Sequence, residues 1–413
     1  MDLPVLCGQL IVTGLEGTSL SPTERDALAR AHVGGVIYFR RNIPRTTDGA
    51  VDVPALAALS AAVVEAFAAS AGVDGGDERE PVGAAPIVAV DQEGGRVARL
   101  GAPFLRLPPM ATLGALGDPA LITDVARAQA RELAAVGITM NFAPILDVHS
   151  RPENPVIGDR AFGTDAVRVT EAALAFARGT ADGGVLSCGK HFPGHGDTTT
   201  DSHLELPRVE HPRARLDAVE LAPFRAAIRA GLPSLMTAHV VYDALDPGVP
   251  ATLSRRIATD LLRNELGYGG VLVSDDLEMK SIAASMGADE AAVRAIEAGC
   301  DLLLVCTRRD ARERAHAALV ERAERDVAFR SRCEEACARV LAMRRAFAPR
   351  GHREREHIEA VFASPDGLRV RDALARALET HAATRAGLPN PSTADAADPS
   401  TLHDPTEREP TRS

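Results

Sequence analysis

The sequence predicts an α/β protein: a (β/α)8 TIM barrel in a single domain, with a helical C-terminal extension and a disordered tail. Three observations lead there. Eight short, β-branched-rich apolar runs recur through the first three-quarters of the 413-residue chain. Helical patterns fill most of the gaps between them. Polar residues crowd the C-terminal ends of many different runs. Near-continuous apolarity suits strands buried on both faces, as in a parallel sheet. Eight such strands alternating with helices need about 250 residues as a barrel, more with insertions. A doubly wound open sheet is the competing architecture, but it would gather its polar residues near one switch point.

The runs are "VLCGQLIVTG" (5–14), "VGGVIYF" (33–39), "APIVAVD" (85–91) and "ITMNFAPILDV" (138–148), then "GVLSCGKHF" (184–192), "SLMTAHVVY" (234–242), "GGVLVSDD" (269–276) and "DLLLVC" (301–306). Helices are expected over 21–31, 53–70, 119–137, 165–184, 212–231, 254–267, 288–299 and 308–326. The first opens with Ser21 as cap and Pro22 at the first helical position. Several end in Gly, as helix C-termini favour. The insert 71–83, "AGVDGGDEREPVG", reads as a mobile loop leading into the third strand. The barrel is expected to span 1–345 and the helical extension 346–386. The stretch 387–413, rich in Pro, Ser, Thr and Asp, reads as a disordered low-complexity tail.

Composition narrows the function classes. A formal net charge of -11 argues against a nucleic-acid or anionic-membrane partner. Aromatic residues are 3% and Trp is absent, so stacking platforms are sparse. The six cysteines show no CxxC spacing, and Cys188, Cys300 and Cys306 sit in apolar runs as buried thiols would. Reduced thiols suggest the cytoplasm. The N-terminus, "MDLPVLCGQLIVTG", has no basic n-region and no apolar span of about 20 residues. No membrane association is expected; the sequence does not give the oligomeric state, and a monomer is the expectation.

In a barrel, chemistry gathers where strands end. The third strand ends in Asp91, Gln92 and Glu93, with Arg96 and Arg99 following. The loop after the fourth carries Arg151, Asp159 and Arg160. The fifth ends in Lys190 and His191, the sixth near His239, and the seventh in Ser274, Asp275, Asp276 and Glu278. No GxGxxG or Walker loop opens a helix, which counts against a nucleotide enzyme. His191 and His195 have an H-x3-H spacing, but Pro193 and Gly194 between them preclude a helix interior, so neither a metal nor any other cofactor is expected. No GxSxG elbow supports a serine hydrolase. Paired acid/base chemistry fits better. Asp275, fixed on a strand after Val271, Leu272 and Val273, could attack a sugar's anomeric carbon; it could also cap the following helix, as could Asp276. Asp201 and His203 share a face of an extended segment, so the carboxylate could set the imidazole's tautomer and basicity. An ordinary loop histidine is the competing reading.

The stretches "DQEGGRV", "NFAPILDV", "IGDRAFG", "KHFPGHGDTTTDSH" and "SDDLEM", in this order, resemble bacterial β-N-acetylhexosaminidases of glycoside hydrolase family 3, of the cytosolic peptidoglycan-recycling (NagZ) type. The resemblance covers roughly 5–345. It implies that Asp275 is the nucleophile and His203 the general acid/base partnered by Asp201. It implies further that Asp91, Arg99, Arg160, Lys190 and His191 bind the N-acetylglucosamine (GlcNAc) to be cleaved. His195 is assigned to holding the loop base.

The implied activity is retaining hydrolysis of terminal non-reducing β-GlcNAc from muropeptide fragments such as GlcNAc-1,6-anhydro-MurNAc, with or without peptide, through a covalent glycosyl-enzyme. Two alternatives stay open. An imidazole acid/base would not repel phosphate as a carboxylate would, so the site could run as a β-N-acetylglucosaminide phosphorylase. A catalytically silent sugar-binding protein is the other. The second α/β domain of larger family members does not fit into 327–413, so the acid/base must come from the barrel's own loop.

Overall fold

A computed structural model describes residues 1–69, 84–198, 206–347 and 355–386. The expected loop at 71–83 and the tail from 387 lie outside the described residues. Eight parallel strands close a barrel: β1 (Ile11–Gly14), β2 (Gly35–Tyr38), β3 (Ile87–Val90), β4 (Met140–Asn141), β5 (Leu186–Phe192), β6 (Ser234–Thr237), β7 (Val271–Asp276) and β8 (Leu302–Val305). Each pairs with its neighbours in sequence, and β1 closes the ring on β8 with Ile11 opposite Leu303.

The connecting helices follow their local signals. Helix α1 (Pro22–Ala31) starts where Ser21 accepts a hydrogen bond from Glu24 N. Helix α2 is Val53–Ala69. Helices α3 (Pro119–Ala135) and α4 (Ala166–Asp182) are capped by Asp118 and Asp165. Helix α5 (Leu221–Arg229) is preceded by a short helix, Arg213–Ala218, so the helix expected over 212–231 is split in two. Helix α6 (Arg256–Glu265) is π-wound, α7 is Ala288–Ala298 and α8 is Arg309–Arg325. Three more follow: α9 (Val327–Ala346), α10 (Arg355–Phe362) and α11 (Pro365–Ala386).

Alternate strand residues fill the lumen. Val12, Ile37, Ala89, Met140, Phe142, Leu186, Cys188, Met236, Val271, Val273, Leu302 and Leu304 form one buried cluster. Val340 and Met343 of α9 join it. On the same helix, Arg344 donates to the Gln9 side chain and to the carbonyls of Ala84 and Ala85, just ahead of β3. The N-terminal end of the barrel is therefore plugged, which leaves the C-terminal end for chemistry. Helices α10 and α11 pack outside: Phe362 meets Phe104 edge-on at 4.9 Å, and Arg371 pairs with Glu132.

Two expected strands change form. The run 5–14 begins as a helix, Leu3–Gly8, with Pro at its first turn, and only Ile11–Gly14 enters the sheet. A short apolar run does not separate a buried helix from a strand. The run 138–148 contributes only Met140–Asn141, plus a single bridge from Ile145 to Lys190. Pro144, which has no N–H to give a ladder, lies between them.

Candidate active site

Three charged groups meet at the barrel mouth, two of them aimed there by strand parity. Ala89 lines the lumen, so Asp91 two residues on shares its face, and Cys188 does the same for Lys190; Asp275 reaches the mouth through a bulge in β7. The Cys188 thiol reports all three. Burial pushes it up to about 12, and Lys190, Asp91 and Asp275 all act on it electrostatically.

The chain leaving β3 turns back at once. Gln92–Gly94 pairs antiparallel with Val97–Ala98, and Gly95 takes φ +54, a left-handed turn position suited to glycine. The Gln92 side chain fixes the return: Oε1 accepts from Arg99 N and Leu100 N at 2.9 and 3.0 Å, and Nε2 donates to Leu100 O. Arg99 is thereby brought back to Asp91, at 3.5 Å.

Lys190 Nζ lies 2.7 Å from both Asp91 Oδ1 and Glu93 Oε1. Arg160 closes the group with a two-pronged pair onto Glu93, at 2.9 and 2.8 Å. Burial opposes the charge on Glu93, but Arg160 and Lys190 outweigh it and hold the carboxyl far below its ordinary value. Burial opposes the Lys190 charge too, and Asp91 and Glu93 raise its pKa instead. Three cations and two carboxylates thus form one interlocked patch.

Asp147, fully buried, organises the second half of the mouth. Its Oδ1 accepts from His191 N and His195 N at 3.0 and 2.7 Å, and its Oδ2 lies 2.7 Å from His191 Nδ1. Burial raises its pKa, yet the His191 ring and these hydrogen bonds turn the net shift downward. A carboxylate on Nδ1 leaves His191 Nε2 for the site. The His195 pKa is lowered to about 4, by burial first and by His191 second. Its Nδ1 meets Thr198 Oγ1 at 2.9 Å, which ties the ring to the end of the described segment 84–198.

Asp201 and His203 lie outside the described residues. Their flanks are tied together by Asp197. Ahead of the stretch, Asp197 takes Ser150 Oγ at 2.6 Å and both prongs of Arg151. Beyond it, His211 Nε2 is 3.0 Å and Arg215 3.8 Å from the same carboxylate. Gly196 packs so tightly on Val148 O that a Cβ would lie 1.7 Å from it.

At β7, residue pairing with β8 slips between Val273 and Asp276, so two residues face one. Ser274 Oγ fills the gap by accepting from Leu304 N at 3.0 Å. The bulge presents Asp275 at the strand end, where its Oδ1 accepts from Asp276 N at 2.8 Å. Asp276 turns aside and accepts from Glu278 N at 3.1 Å. Burial, then the negative charge of Glu278, pushes its carboxyl up to about 8.

The structure therefore brings Asp91, Arg99, Arg160 and Lys190 into one network and places His191 and Asp275 at the same mouth. Sequence reasoning gave no role to Glu93, Asp147 or Asp197. Each stood in a quoted motif, but nothing local distinguishes a buried organising carboxylate from an exposed one.

Residues 6–343 match the glycosyl hydrolase family 3 N-terminal domain. A β-hexosaminidase of Alkalilimnicola ehrlichii is 41% identical over 313 residues, 74% of this chain and 83% of that protein. The solved family 3 β-N-acetylglucosaminidase of Paenibacillus is 40% identical, with a TM-score of 0.77 over 87% of this chain and 68% of that one. NagZ from Neisseria gonorrhoeae, solved with N-trifluoroacetyl-D-glucosamine, is 32% identical, with a TM-score of 0.71 over 89% of this chain and 98% of that one. The chain belongs to glycosyl hydrolase family 3.

Proposed function

We propose that this family 3 glycoside hydrolase is a retaining β-N-acetylhexosaminidase acting on terminal non-reducing β-GlcNAc. Its substrates would be peptidoglycan fragments such as GlcNAc-1,6-anhydro-MurNAc, with or without peptide, and its role cell-wall recycling. The observation that carries the reading is the juxtaposition at one barrel mouth of Asp275, presented by a bulge, and the Asp91–Arg99–Lys190–Glu93–Arg160 patch. The patch offers paired donors and acceptors suited to sugar hydroxyls, and His191 Nε2 adds a further contact. The names of the relatives support the β-hexosaminidase activity.

In the first step Asp275 attacks the anomeric carbon through an oxocarbenium-like transition state while His203, partnered by Asp201, protonates the departing oxygen. In the second, His203 takes a proton from water, which releases the sugar with its configuration retained. All six thiols are free and buried, which supports a reducing, cytoplasmic setting. Among the described residues no helix is long and apolar enough to cross a membrane.

The test is turnover of p-nitrophenyl β-N-acetylglucosaminide with and without inorganic phosphate, identifying the sugar released. Free GlcNAc at a rate indifferent to phosphate supports the hydrolase. GlcNAc-1-phosphate at a rate rising with phosphate makes the enzyme a phosphorylase. GlcNAc binding without turnover at any pH leaves only a sugar-binding protein. A muropeptide fragment left intact while chitobiose is cleaved quickly would sink the assigned substrate.

A further inference from the structure

His239 lies two residues beyond β6, fully buried, and takes no part in the steps above. Its Nε2 is 2.9 Å from the carbonyl oxygen of Asp276, and its Nδ1 is 2.7 Å from Thr252 Oγ1. Thr252 Oγ1 is in turn 2.8 Å from Thr237 Oγ1. Thr237 and Thr252 are buried as completely as the histidine.

The protons can be assigned by chemistry. A carbonyl oxygen only accepts, so a ring nitrogen 2.9 Å from it must carry the hydrogen; two facing lone pairs would repel. A neutral ring that donates at Nε2 accepts at Nδ1. Thr252 Oγ1 lies 2.7 Å from Nδ1 and 3.1 Å from the Ala238 carbonyl oxygen; its single proton goes to the nearer acceptor, Nδ1, and the Thr237 hydroxyl donates to Thr252. The chain runs Thr237 to Thr252 to His239 to the Asp276 carbonyl. Residue 276 is held at its C=O by the imidazole, and its N–H is the donor to Asp275 Oδ1. The backbone of one residue thus links the imidazole to the carboxylate of Asp275, at the bulge where Leu304 N of β8 donates to the Ser274 side chain.

We propose that His239 is a positioning residue: through the Asp276 backbone it sets the orientation of the Asp275 carboxylate for attack, with Thr252 and Thr237 fixing its tautomer. This rests on Asp275 being the nucleophile. The interaction leaves the sugar-binding patch untouched, so its loss affects attack and spares GlcNAc affinity.

The experiment uses the full chain and an activated 5-fluoro N-acetylglucosaminide that traps the glycosyl-enzyme. Peptide mapping of the trapped wild type tests the underlying reading; a label on another residue, or none, refutes that reading and the inference with it. The inference itself is read from the trapping rate of variants. His239→Ala should trap roughly ten- to a hundredfold more slowly, as for a buried hydrogen bond left unmade. His239→Gln, whose amide N–H reaches toward the Nε2 position, should recover most of the rate. Thr252→Val, nearly isosteric, should fall between them. GlcNAc affinity by calorimetry should stay within about twofold in all three. Nitrogen-15 shifts of the His239 ring should show the Nε2–H tautomer in the wild type, a result independent of whether any variant folds. Trapping in His239→Ala within twofold of wild type, no recovery with Gln, or an Nδ1–H tautomer would each overturn the proposal.

Discussion

Glu93→Gln changes one atom type at the centre of the charged patch. The Glu93 side chain is 1% exposed, and its two oxygens accept three short hydrogen bonds, two from Arg160 and one from Lys190. Glutamine keeps one acceptor. Its amide group must turn N–H bonds toward a cation that also only donates. The charge balance worsens as well, from three cations against two carboxylates to three against Asp91 alone. Removing one partner of a buried pair costs about 3–5 kcal/mol. The retained acceptor puts the loss at the low end, about 3 kcal/mol, a large part of the ~5–15 kcal/mol that holds a typical domain folded.

The pH dependence has a definite sign. The Glu93 pKa is depressed in the fold from an ordinary value of 4.5. Its contribution is fully present above that value and is lost as pH falls through the folded pKa. Urea denaturation of wild type and variant should therefore show a constant gap near neutral pH that narrows below 4.5. The activity should fall together with stability, by roughly tenfold to a hundredfold in kcat/KM, because Lys190 and Arg160 lose their common anchor. A gap under about 1 kcal/mol at neutral pH, or one that does not narrow on acidification, would refute the idea that Glu93 organises the patch.

Asp275→Ala should abolish turnover while circular dichroism and the urea midpoint stay near wild type; residual hydrolysis above the uncatalysed rate would sink the nucleophile assignment. His203→Ala should harm the natural disaccharide far more than a nitrophenyl glycoside, because only the poor leaving group needs the proton; equal loss on both at every step would exclude the acid role. Asp276→Asn should be stabilising at alkaline pH. The Asp276 carboxyl is raised from 3.8 to about 8, so folding holds a proton that the unfolded chain releases, and wild-type stability falls as pH rises across that window. The gain should be largest above about 8 and vanish below 3.8; thermal melts across pH check it.

The order of strands and helices was legible because each barrel unit is local: an apolar run, a cap, a helix, a glycine. So were the polar strand ends. What could not be read was which side chains meet. Asp91 and Lys190 are 99 residues apart, and their contact exists only because β3 and β5 aim the same parity into one lumen. The resemblance supplied Arg99 and Arg160 as sugar ligands, but not Glu93, which pins Arg160 and Lys190 together. His239 stood in the run 234–242, whose strand ends at Thr237; its partner Thr252 lies on a turn that no periodicity marks. The first half of the strand expected over 5–14 differs for the opposite reason: Leu6 and Cys7 are buried as a core strand's residues would be, but on a helix, and only Ile11–Gly14 is strand.

Both ends of the barrel hold buried charge, and the difference between them locates the chemistry. At the N-terminal end Asp301 is fully buried and takes Arg263, Arg332 and Arg339, and Arg344 is taken up by Gln9 and two carbonyls. Helix α9 supplies most of these partners and at the same time fills the opening with Val340 and Met343. These pairs fix the helix to the barrel. At the C-terminal end the inner charges, Glu93, Lys190 and Asp147, are equally enclosed, but Asp91 keeps 16% of its side chain open and Asp275 is only partly covered. Buried carboxylates below and partly open carboxylates above make an enclosed base with an open rim. A site built this way has its donors and acceptors oriented before substrate arrives, so binding energy need not be spent on ordering them.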